Sequence, residues 1–442
     1  MSNLSRLVVA GGFLLAAAGL RAEAPAPAPA ALVAPEPPKS QGLSFNVGDT
    51  TIKFYGSVRL DMHYDDSHPQ NTQLIVCIKS EDRHAAAALP GVAEDPGSED
   101  FTIHARLTRF GVDISSAPIA KLADAKVSGK IEIDFLANGG SEALTVSRAV
   151  PRLRLGYVKL GWDDLSFLAG QAWDIVGPLN PTANAEFAMW GAGNVGDRRP
   201  MVMGDYRPSL GGVTPILQAE VGLTGAVDGQ NLDVGTATTA TRDGESSGWP
   251  TYMARVALKA DHPYLEKKSL EVGGWGHYAR EHLDRQSLAG LTEENFESHS
   301  FGLDVSLPLL DIVEIRGELW KGIDLDDIRG GILQGVSTVG GGTSIMSRGY
   351  WVELAVKALD GYTVTLGTSR DNPVNSDVVA PVAVTNAPAG AVDNRTVYLC
   401  NRLNLGGGLL VGVDYTHWIT QWKGGLNDGT DNRYTFFVQF SF

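Results

Sequence analysis

The sequence is poor in cysteine and in positive charge. Only Cys77 and Cys400 occur in 442 residues, which excludes a small domain stapled by several disulfides. Lysine and arginine number 36 against 51 aspartates and glutamates, a formal charge of −15, so a nucleic-acid binder that relies on a basic surface is excluded as well. After the first twenty or so residues no run of about 18 apolar residues occurs. If this chain crosses a membrane, strands must do it.

Residues 1–24 have the pattern of a secretory signal peptide. Arg6 supplies the positive charge, residues 7–20 form the apolar stretch, and Ala22 or Ala24 offers a small residue for cleavage. Cleavage after residue 22 leaves 34 basic against 51 acidic residues, a charge of −17. The alternative is a retained membrane anchor, for which the apolar stretch is short.

The rest of the chain divides into a tether and one large domain. Residues 25–50 begin with a run of alanine and proline, which cannot form a core and favours extended conformations. In residues 51–442 apolar side chains recur at every second position, the period of a β-strand. The last segment shows it most clearly, because one face carries Tyr434, Phe436, Val438, Phe440 and Phe442. Such a strand is an aggregation hazard in water but suits the outer face of a barrel in lipid.

About sixteen segments follow this period. They are residues 51–64, 101–115, 125–136, 152–161, 164–173, 198–207, 214–224, 251–260, 268–280, 299–307, 311–323, 348–358, 361–371, 395–404, 408–423 and 432–442. The odd-numbered connections are mostly long and polar, whereas the even-numbered ones are short turns. Both ends of the chain lie on the short-turn side. This alternation is typical of an outer-membrane barrel with short periplasmic turns and long extracellular loops.

The sequence therefore predicts an all-β fold, a transmembrane antiparallel β-barrel of about 16 strands. Hydrocarbon cannot satisfy backbone N–H and C=O groups, so the first and last strands must pair. A barrel of this size is wide enough to leave an aqueous channel.

Alternation of the two faces directs charged side chains into the lumen. The first four strands contribute Lys53, Arg59, Arg106, Lys130, Arg152 and Arg154, accompanied by Asp61, Glu132 and Asp134. The arginines predict a binding ladder for carboxylates or phosphates, which the guanidinium fork holds with two hydrogen bonds. The alternative is that they neutralise the three acids in a structural ladder. Only charge without such a partner attracts a solute.

The opposite wall is expected to be acidic. Strands seven to twelve direct Glu220, Glu271, Asp304, Glu314, Glu318 and Glu353 inward, with Arg255, Lys259, Arg316 and Lys357 between them. A basic wall facing an acidic wall would create a transverse field at the narrowest section.

Two irregular segments add further arginines. The apolar phase of the second strand reverses near Thr108 and Arg109, which predicts a β-bulge that re-aims Arg109 into the lumen, or else a misplaced strand boundary. The long connection 174–197 contains Phe187, Met189 and Trp190. Such bulky residues predict a loop folded into the barrel, with Arg198 or Arg199 near the constriction, rather than a plain surface loop.

Nothing in the sequence predicts a catalytic residue, a metal site or a cofactor. The nine histidines form no metal-ligand motif with a glutamate, and no G-x-S-x-G elbow occurs. Cys77 and Cys400 either pair in an oxidising compartment or stay as two thiols.

Several segments resemble the DcaP-like family of Gram-negative outer-membrane porins. They are residues 53–61 (KFYGSVRLD), 108–113 (TRFGVD), 130–135 (KIEIDF), 168–173 (LAGQAW) and 398–418, followed by a terminal phenylalanine. The resemblance implies a trimer of 16-stranded channels that passes dicarboxylates and related organic anions. Phe442 resembles the signal that the barrel-assembly machinery reads. Members of the family often carry a helical coiled coil before the barrel, where this chain has its tether, so phosphate-selective and general porins remain alternatives.

Together these observations predict passive diffusion of small hydrophilic solutes, above all organic anions, through a barrel in the outer membrane. Surrounding lipid, a homotrimer and the barrel-assembly machinery are the other expected partners, and no nucleic acid is. The residues expected to attract solute are Arg59, Arg106, Arg109, Arg152, Arg154, Arg198 and Arg199, helped by Lys130, with Asp61, Glu132 and Asp134 shaping the field. The acidic total favours a cation-preferring pore as an alternative, while an adhesin or structural barrel and an outer-membrane hydrolase are the alternatives from other classes.

Overall fold

The computed structural model describes residues 43–67, 69, 75–80, 99–136, 149–183, 188–225, 247–282, 292–380 and 389–442. Sixteen strands form one sheet: β1 (Thr50–Asp65), β2 in two parts (Asp100–His104 and Arg109–Ser116), β3 (Lys126–Asp134), β4 (Arg152–Gly161), β5 (Leu165–Trp173), β6 (Arg198–Tyr206), β7 (Val213–Gly222), β8 (Thr251–Asp261), β9 (Ser269–His282), β10 (Asn295–Leu310), β11 (Val313–Ile323), β12 (Met346–Leu359), β13 (Tyr362–Pro373), β14 (Ala391–Gly406), β15 (Leu409–Trp422) and β16 (Gly429–Ser441). Each strand pairs antiparallel with its neighbours.

The sheet closes on itself. β1 pairs with β16 from Ser57 opposite Ser441 to Asp65 opposite Arg433. The last residue continues this seam, because the backbones of Gly56 and Phe442 exchange hydrogen bonds of 3.1 and 3.0 Å. Closure leaves no unpaired edge, so the predicted all-β barrel of 16 strands is confirmed.

The N-terminal region joins the barrel through a short strand. Ser44–Val47, at the end of the predicted tether, pairs antiparallel with the start of β1. The predicted signal peptide and most of the tether, residues 1–42, lie outside the described residues. No helix in the described ranges is long and apolar enough to span a membrane.

The two faces of the strands differ as the period of two predicts. On β16, Tyr434, Phe436 and Phe440 are exposed on the outside, whereas Arg433 and Thr435 are buried inside. An apolar exterior with polar groups inside is the arrangement that lipid outside and water inside require.

The predicted bulge in β2 is present. Asp61 of β1 pairs with His104 and Ser57 pairs with Arg109, so three residues of β1 oppose four of β2. The additional residue reverses the phase of the strand. Thr108 fills the gap, since its hydroxyl accepts from the Arg59 N–H at 3.1 Å and donates to the Arg59 carbonyl at 3.3 Å.

The connections sort by length as expected. Two-residue turns join β10 to β11, β12 to β13 and β14 to β15, and on the same side the longest turn is 117–125. At the turn between β10 and β11 the boundary differs from the prediction, because residues 308–310 continue β10 instead of forming the turn. A register shift between Pro308 and Leu310 accommodates the proline, which has no N–H to donate.

Clusters of buried apolar residues lie inside the barrel, where loops meet the inner face of the strands. One cluster contains Met189 of the β5–β6 loop, Ile75 and Ile78 of the β1–β2 loop, and Trp418 of β15. The lumen is therefore partly filled by the chain itself.

Candidate functional site

The connection between β5 and β6 is residues 174–197, and its described parts, 174–183 and 188–197, enter the lumen and reach the opposite wall. We call it the constriction loop. The backbone N–H of Leu179 donates to Glu318 of β11 at 2.7 Å. Farther along, the N–H of Thr182 donates to Glu353 of β12 at 2.8 Å. Hydrogen bonds at two successive strands fix the loop across the barrel.

Its apolar side chains are buried, as the sequence predicts for an inward loop. Met189 and Trp190 are 0 and 3% exposed, while Phe187 lies outside the described residues. Gly193 turns with φ of 111°, and a Cβ atom there would lie 2.3 Å from the carbonyl oxygen of Tyr350. Only glycine suits this close approach to β12.

Buried ion pairs hold both ends of the loop. The Arg199 guanidinium donates to both oxygens of Asp174, at 2.7 and 2.8 Å, and to the carbonyl of Asp327 at 2.9 Å. Arg329 donates to Asp197 at 2.9 Å. Burial favours a raised pKa for Asp197, but the positive charge of Arg329 outweighs it, and the pKa of this carboxyl is lowered.

This geometry corrects the prediction for Arg199. Its side chain is fully buried between two carboxylates, so it anchors the loop instead of lining the open channel. The anchoring role was not visible in the sequence, because Asp174 and Asp327 lie 25 and 128 residues away from it in the chain.

The acids of the far wall, β7–β14, face inward as predicted, but they are occupied. Glu220 accepts the N–H of Ile175 at 3.1 Å, and Glu353 accepts both from Thr182 and from Arg316. Other carboxylates of this wall pair with arginines, as Asp304 does with Arg255 at 3.0 Å. Their main role is to accept donors from the loop and the strands, which alternation alone did not indicate.

The near wall, β1–β4, carries the predicted arginine ladder. Arg152 donates to both oxygens of Asp134 at 3.0 and 2.8 Å. Arg154 bridges Asp134 and Glu132 at 2.9 and 2.8 Å. The bulge brings Arg109 to 3.5 Å from Glu132. The neutralising interpretation therefore applies to part of this ladder.

Two other cations of this wall also pair with carboxylates. Arg59 pairs with Asp61 at 2.7 Å, and its guanidinium lies 3.8 Å from the centre of the Phe437 ring. Lys130 pairs with Asp113 at 2.7 Å, and both side chains are partly exposed.

The last two predicted arginines lie at the ends of strands. Arg106, in the interruption of β2, is buried and donates to the carbonyl of Phe135 at 3.3 Å. Arg198 begins β6 and lies over the Trp173 ring at 4.9 Å. It is 5% exposed, yet its Nε and Nη1 atoms have no hydrogen-bond acceptor in the described part of the chain. Arg152 and Arg154 are close enough to repel it electrostatically.

A buried guanidinium with donors to spare is a place where an anion is stabilised. In the described part of the near wall, three arginines share two carboxylates: Arg109, Arg152 and Arg154 pair with Glu132 and Asp134.

Cysteine and carboxylate groups elsewhere form no assigned site. Cys77 and Cys400 are buried in separate clusters and not joined by a disulfide. Glu281, Asp324 and Asp326 bring oxygens within 4.8 Å of one another. Each also makes other contacts within the protein, so the group by itself does not indicate a bound cation.

Comparison with known proteins identifies the fold. No protein-family model matches the chain, and no curated protein matches its sequence. Among solved structures, the outer-membrane channel DcaP of Acinetobacter baumannii matches with a TM-score of 0.65 and 16% identity, over 90% of this chain and 99% of the other. OprB of Pseudomonas putida matches with a TM-score of 0.54 and 10% identity, over 88 and 94%.

A third match is an anion-selective porin from Comamonas acidovorans, with a TM-score of 0.51, 12% identity and coverage of 89 and 100%. The three similarities agree on the architecture that the strand pairing shows. The chain has the fold of the outer-membrane porins, a closed antiparallel barrel of 16 strands.

Proposed function

We propose that this protein is an outer-membrane porin of a Gram-negative bacterium through which small organic anions, such as dicarboxylates, diffuse passively. The observation that supports it is the excess of positive charge on the near wall, together with the unsatisfied Arg198. The formal charge of the whole chain, −15, has the opposite sign. What a solute meets is the charge that faces the water.

The acidic residues of the far wall contribute little to that field. Glu220, Glu318 and Glu353 are 2–3% exposed beneath the constriction loop, so the loop separates their charge from the channel water, and Asp304 is paired with Arg255. On the near wall, by contrast, Arg109, Arg152 and Arg154 share Glu132 and Asp134, and Arg109 and Lys130 are partly exposed. We therefore expect the water beside the near wall to be at positive potential, which favours anions and disfavours cations.

The position of Arg198 supports a preference for dicarboxylates, solutes that carry two carboxylate groups. Its planar guanidinium offers Nε and Nη1 to one carboxylate. Arg109, Arg152 and Arg154 share only the carboxylates of Glu132 and Asp134 in the described part of the chain, which leaves one positive charge for a second carboxylate group. A dianion gains from both, whereas a monoanion gains from one. Phosphate engages the same donors, so the comparison of succinate with phosphate is part of the test.

Two proposals about assembly follow from the sequence, a homotrimer and recognition of Phe442 by the barrel-assembly machinery. The fold also matches a structure of OmpT of Vibrio cholerae, and that OmpT structure is described as a trimer form, which supports a homotrimer. Phe442 continues the β1–β16 seam, which supports its proposed role as the signal for the barrel-assembly machinery.

The decisive experiment is the reversal potential of single channels in a planar bilayer under a salt gradient. The wild type should prefer anions, and Arg198→Gln should lower that preference and reduce the succinate current more than the chloride current. Arg280→Gln, a cation of the outer wall beside Trp249, is the matched control and should behave as wild type. A cation-preferring wild type, or an Arg198→Gln channel with unchanged selectivity, would overturn the proposal.

A further inference from the structure

The outer wall carries a cluster of cations at the loop end of β11–β14. Lys321, Arg348, Arg370 and Arg395 occupy outward positions on four successive strands. Together with Asp393 they line a cavity of about 470 Å³. We call these five residues the rim patch. None of them lines the lumen, so the channel proposal does not use them.

The strand register places like charges opposite each other in this patch. Lys321 pairs across β11 and β12 with Arg348, and Arg370 pairs across β13 and β14 with Arg395. Like charges that face each other across strands are destabilising. Two such pairs on neighbouring strands call for negative charge between them.

The protein supplies only part of that negative charge. Asp393 accepts from Arg370 at 2.7 and 3.0 Å and from Arg395 at 2.7 Å. Lys321 and Arg348 form no ion pair with any residue that the structure describes, and the best contact of Arg348 is a hydrogen bond of 3.4 Å to Asn372. The four cations and one carboxylate leave an excess of three positive charges.

Another part of the same wall is built differently. On β9 and β10 the outward Arg280 stands directly opposite Glu297, with 3.7 Å between nitrogen and oxygen. Arg280 also lies 4.6 Å from the Trp249 ring. Opposite charges there satisfy each other, so the like-charge pairs of the rim patch are a local feature and not a property of the whole rim.

Directly below the patch the wall is apolar. Leu319 and Val397, two positions from Lys321 and Arg395, are 53 and 50% exposed, and Tyr350, two positions from Arg348, is 39% exposed. Cations above an apolar surface suit both parts of an anionic lipid. The cations bind the headgroup, and the apolar side chains pack against the acyl chains.

We propose that the rim patch binds the phosphate groups of a phosphorylated glycolipid in the outer leaflet, with the acyl chains lying on the apolar surface around Leu319 and Val397. Phosphate oxygens between the cations replace the missing negative charge, and the arginine forks hold them bidentately. The inference rests on the proposed outer-membrane location and is independent of the selectivity of the channel.

The test measures the melting temperature of the purified, folded barrel in detergent against added diphosphoryl lipid A. The wild type should be stabilised by this lipid and not by dephosphorylated lipid A. The double variant Lys321→Gln/Arg348→Gln should bind it about tenfold more weakly, since it loses two charge-assisted contacts. Arg280→Gln should respond as wild type does.

A charge reversal separates lipid binding from a folding defect. In Lys321→Glu the new carboxylate faces Arg348, so the barrel without lipid should melt at or above the wild-type temperature, while its response to lipid A should be lost. Both variants should keep wild-type conductance, because the patch lies outside the lumen.

Three results would overturn the inference. One is a double variant that binds lipid A with wild-type affinity. Another is inorganic phosphate alone stabilising the wild type as well as lipid A does, which would make the patch a site for a free anion. In the third, lipid A does not stabilise the wild type, and the two substitutions cause the oligomer that the wild type forms to dissociate. That combination would assign the patch to contact with a second copy of the chain.

Discussion

The near and far walls of the barrel use the same residue types for different purposes. On the near wall, acids are too few for the cations, and Arg109 and Lys130 remain partly exposed to the lumen. On the far wall, Glu318 and Glu353 are buried under the constriction loop and accept its N–H groups. Inward charge in a porin therefore indicates selectivity only where no loop covers it.

The largest effect is expected from removing the clamp of the loop. Arg199→Gln leaves the buried Asp174 carboxylate without its partner, which costs about 3–5 kcal/mol. The constriction loop should detach, raising single-channel conductance and making residues 174–197 sensitive to protease. The double variant Arg199→Gln/Asp174→Asn should recover part of the loss, because one of the two buried carboxylates that lose Arg199 is then neutral. Wild-type conductance in the single variant would show that the clamp does not hold the loop.

Neutralising one acid on each wall should separate the two roles. Glu132→Gln removes a carboxylate that faces Arg154 and Arg109, so anion selectivity should rise roughly threefold, as expected for a unit charge about 7 Å away in water. Glu318→Leu removes an acceptor of the loop and should alter conductance noise more than reversal potential. If both variants shift the reversal potential equally, the proposed difference between the walls is wrong.

Acid should weaken the loop anchor before it changes the strands. The pKa of Asp197 is lowered in the folded protein by Arg329, despite burial, so its contribution to stability is present above the unfolded pKa of about 4 and is lost as pH falls below it. Conductance steps should become larger or noisier as the pH falls below about 4. Asp197→Asn should show that behaviour at neutral pH and little further change with acid.

The smallest effect is expected at the bulge of the near wall. Thr108→Val removes both hydrogen bonds to the Arg59 backbone and should destabilise the barrel by about 1 kcal/mol. Selectivity should also fall slightly, because Arg109 is aimed by the bulge. A melting curve tests the stability and a reversal potential, measured on the same preparation, tests the selectivity. The control is Thr102→Val, in the first part of β2, where Thr102 pairs with His63 of β1.

The strands could be predicted because water and lipid impose a period of two on each of them separately. All sixteen predicted segments are strands, with boundaries that differ by no more than about four residues. The inward loop could be anticipated from Met189 and Trp190, because exposing such bulky apolar side chains to water is unfavourable. Its partners could not, since Glu318 and Glu353 contact it across 139 and 171 residues of chain.

The distinction between Arg198 and Arg199 was also beyond the sequence. Adjacent residues point to opposite sides of a strand, but both of these are buried where β6 leaves the loop. Arg199 pairs with two carboxylates, whereas the Arg198 guanidinium lies over a tryptophan ring. That difference depends on where distant segments come to lie, and no local pattern carries it.

The seam between β1 and β16 has a consequence for how this protein is made. Arg59 and Gln439, 380 residues apart, are hydrogen-bonded across it. Contacts of such sequence separation form late and slowly, so nearly the entire polypeptide must emerge before the cylinder can shut. Until then its aromatic outer surface has no suitable solvent, and escort through the aqueous compartment becomes a requirement of the topology itself.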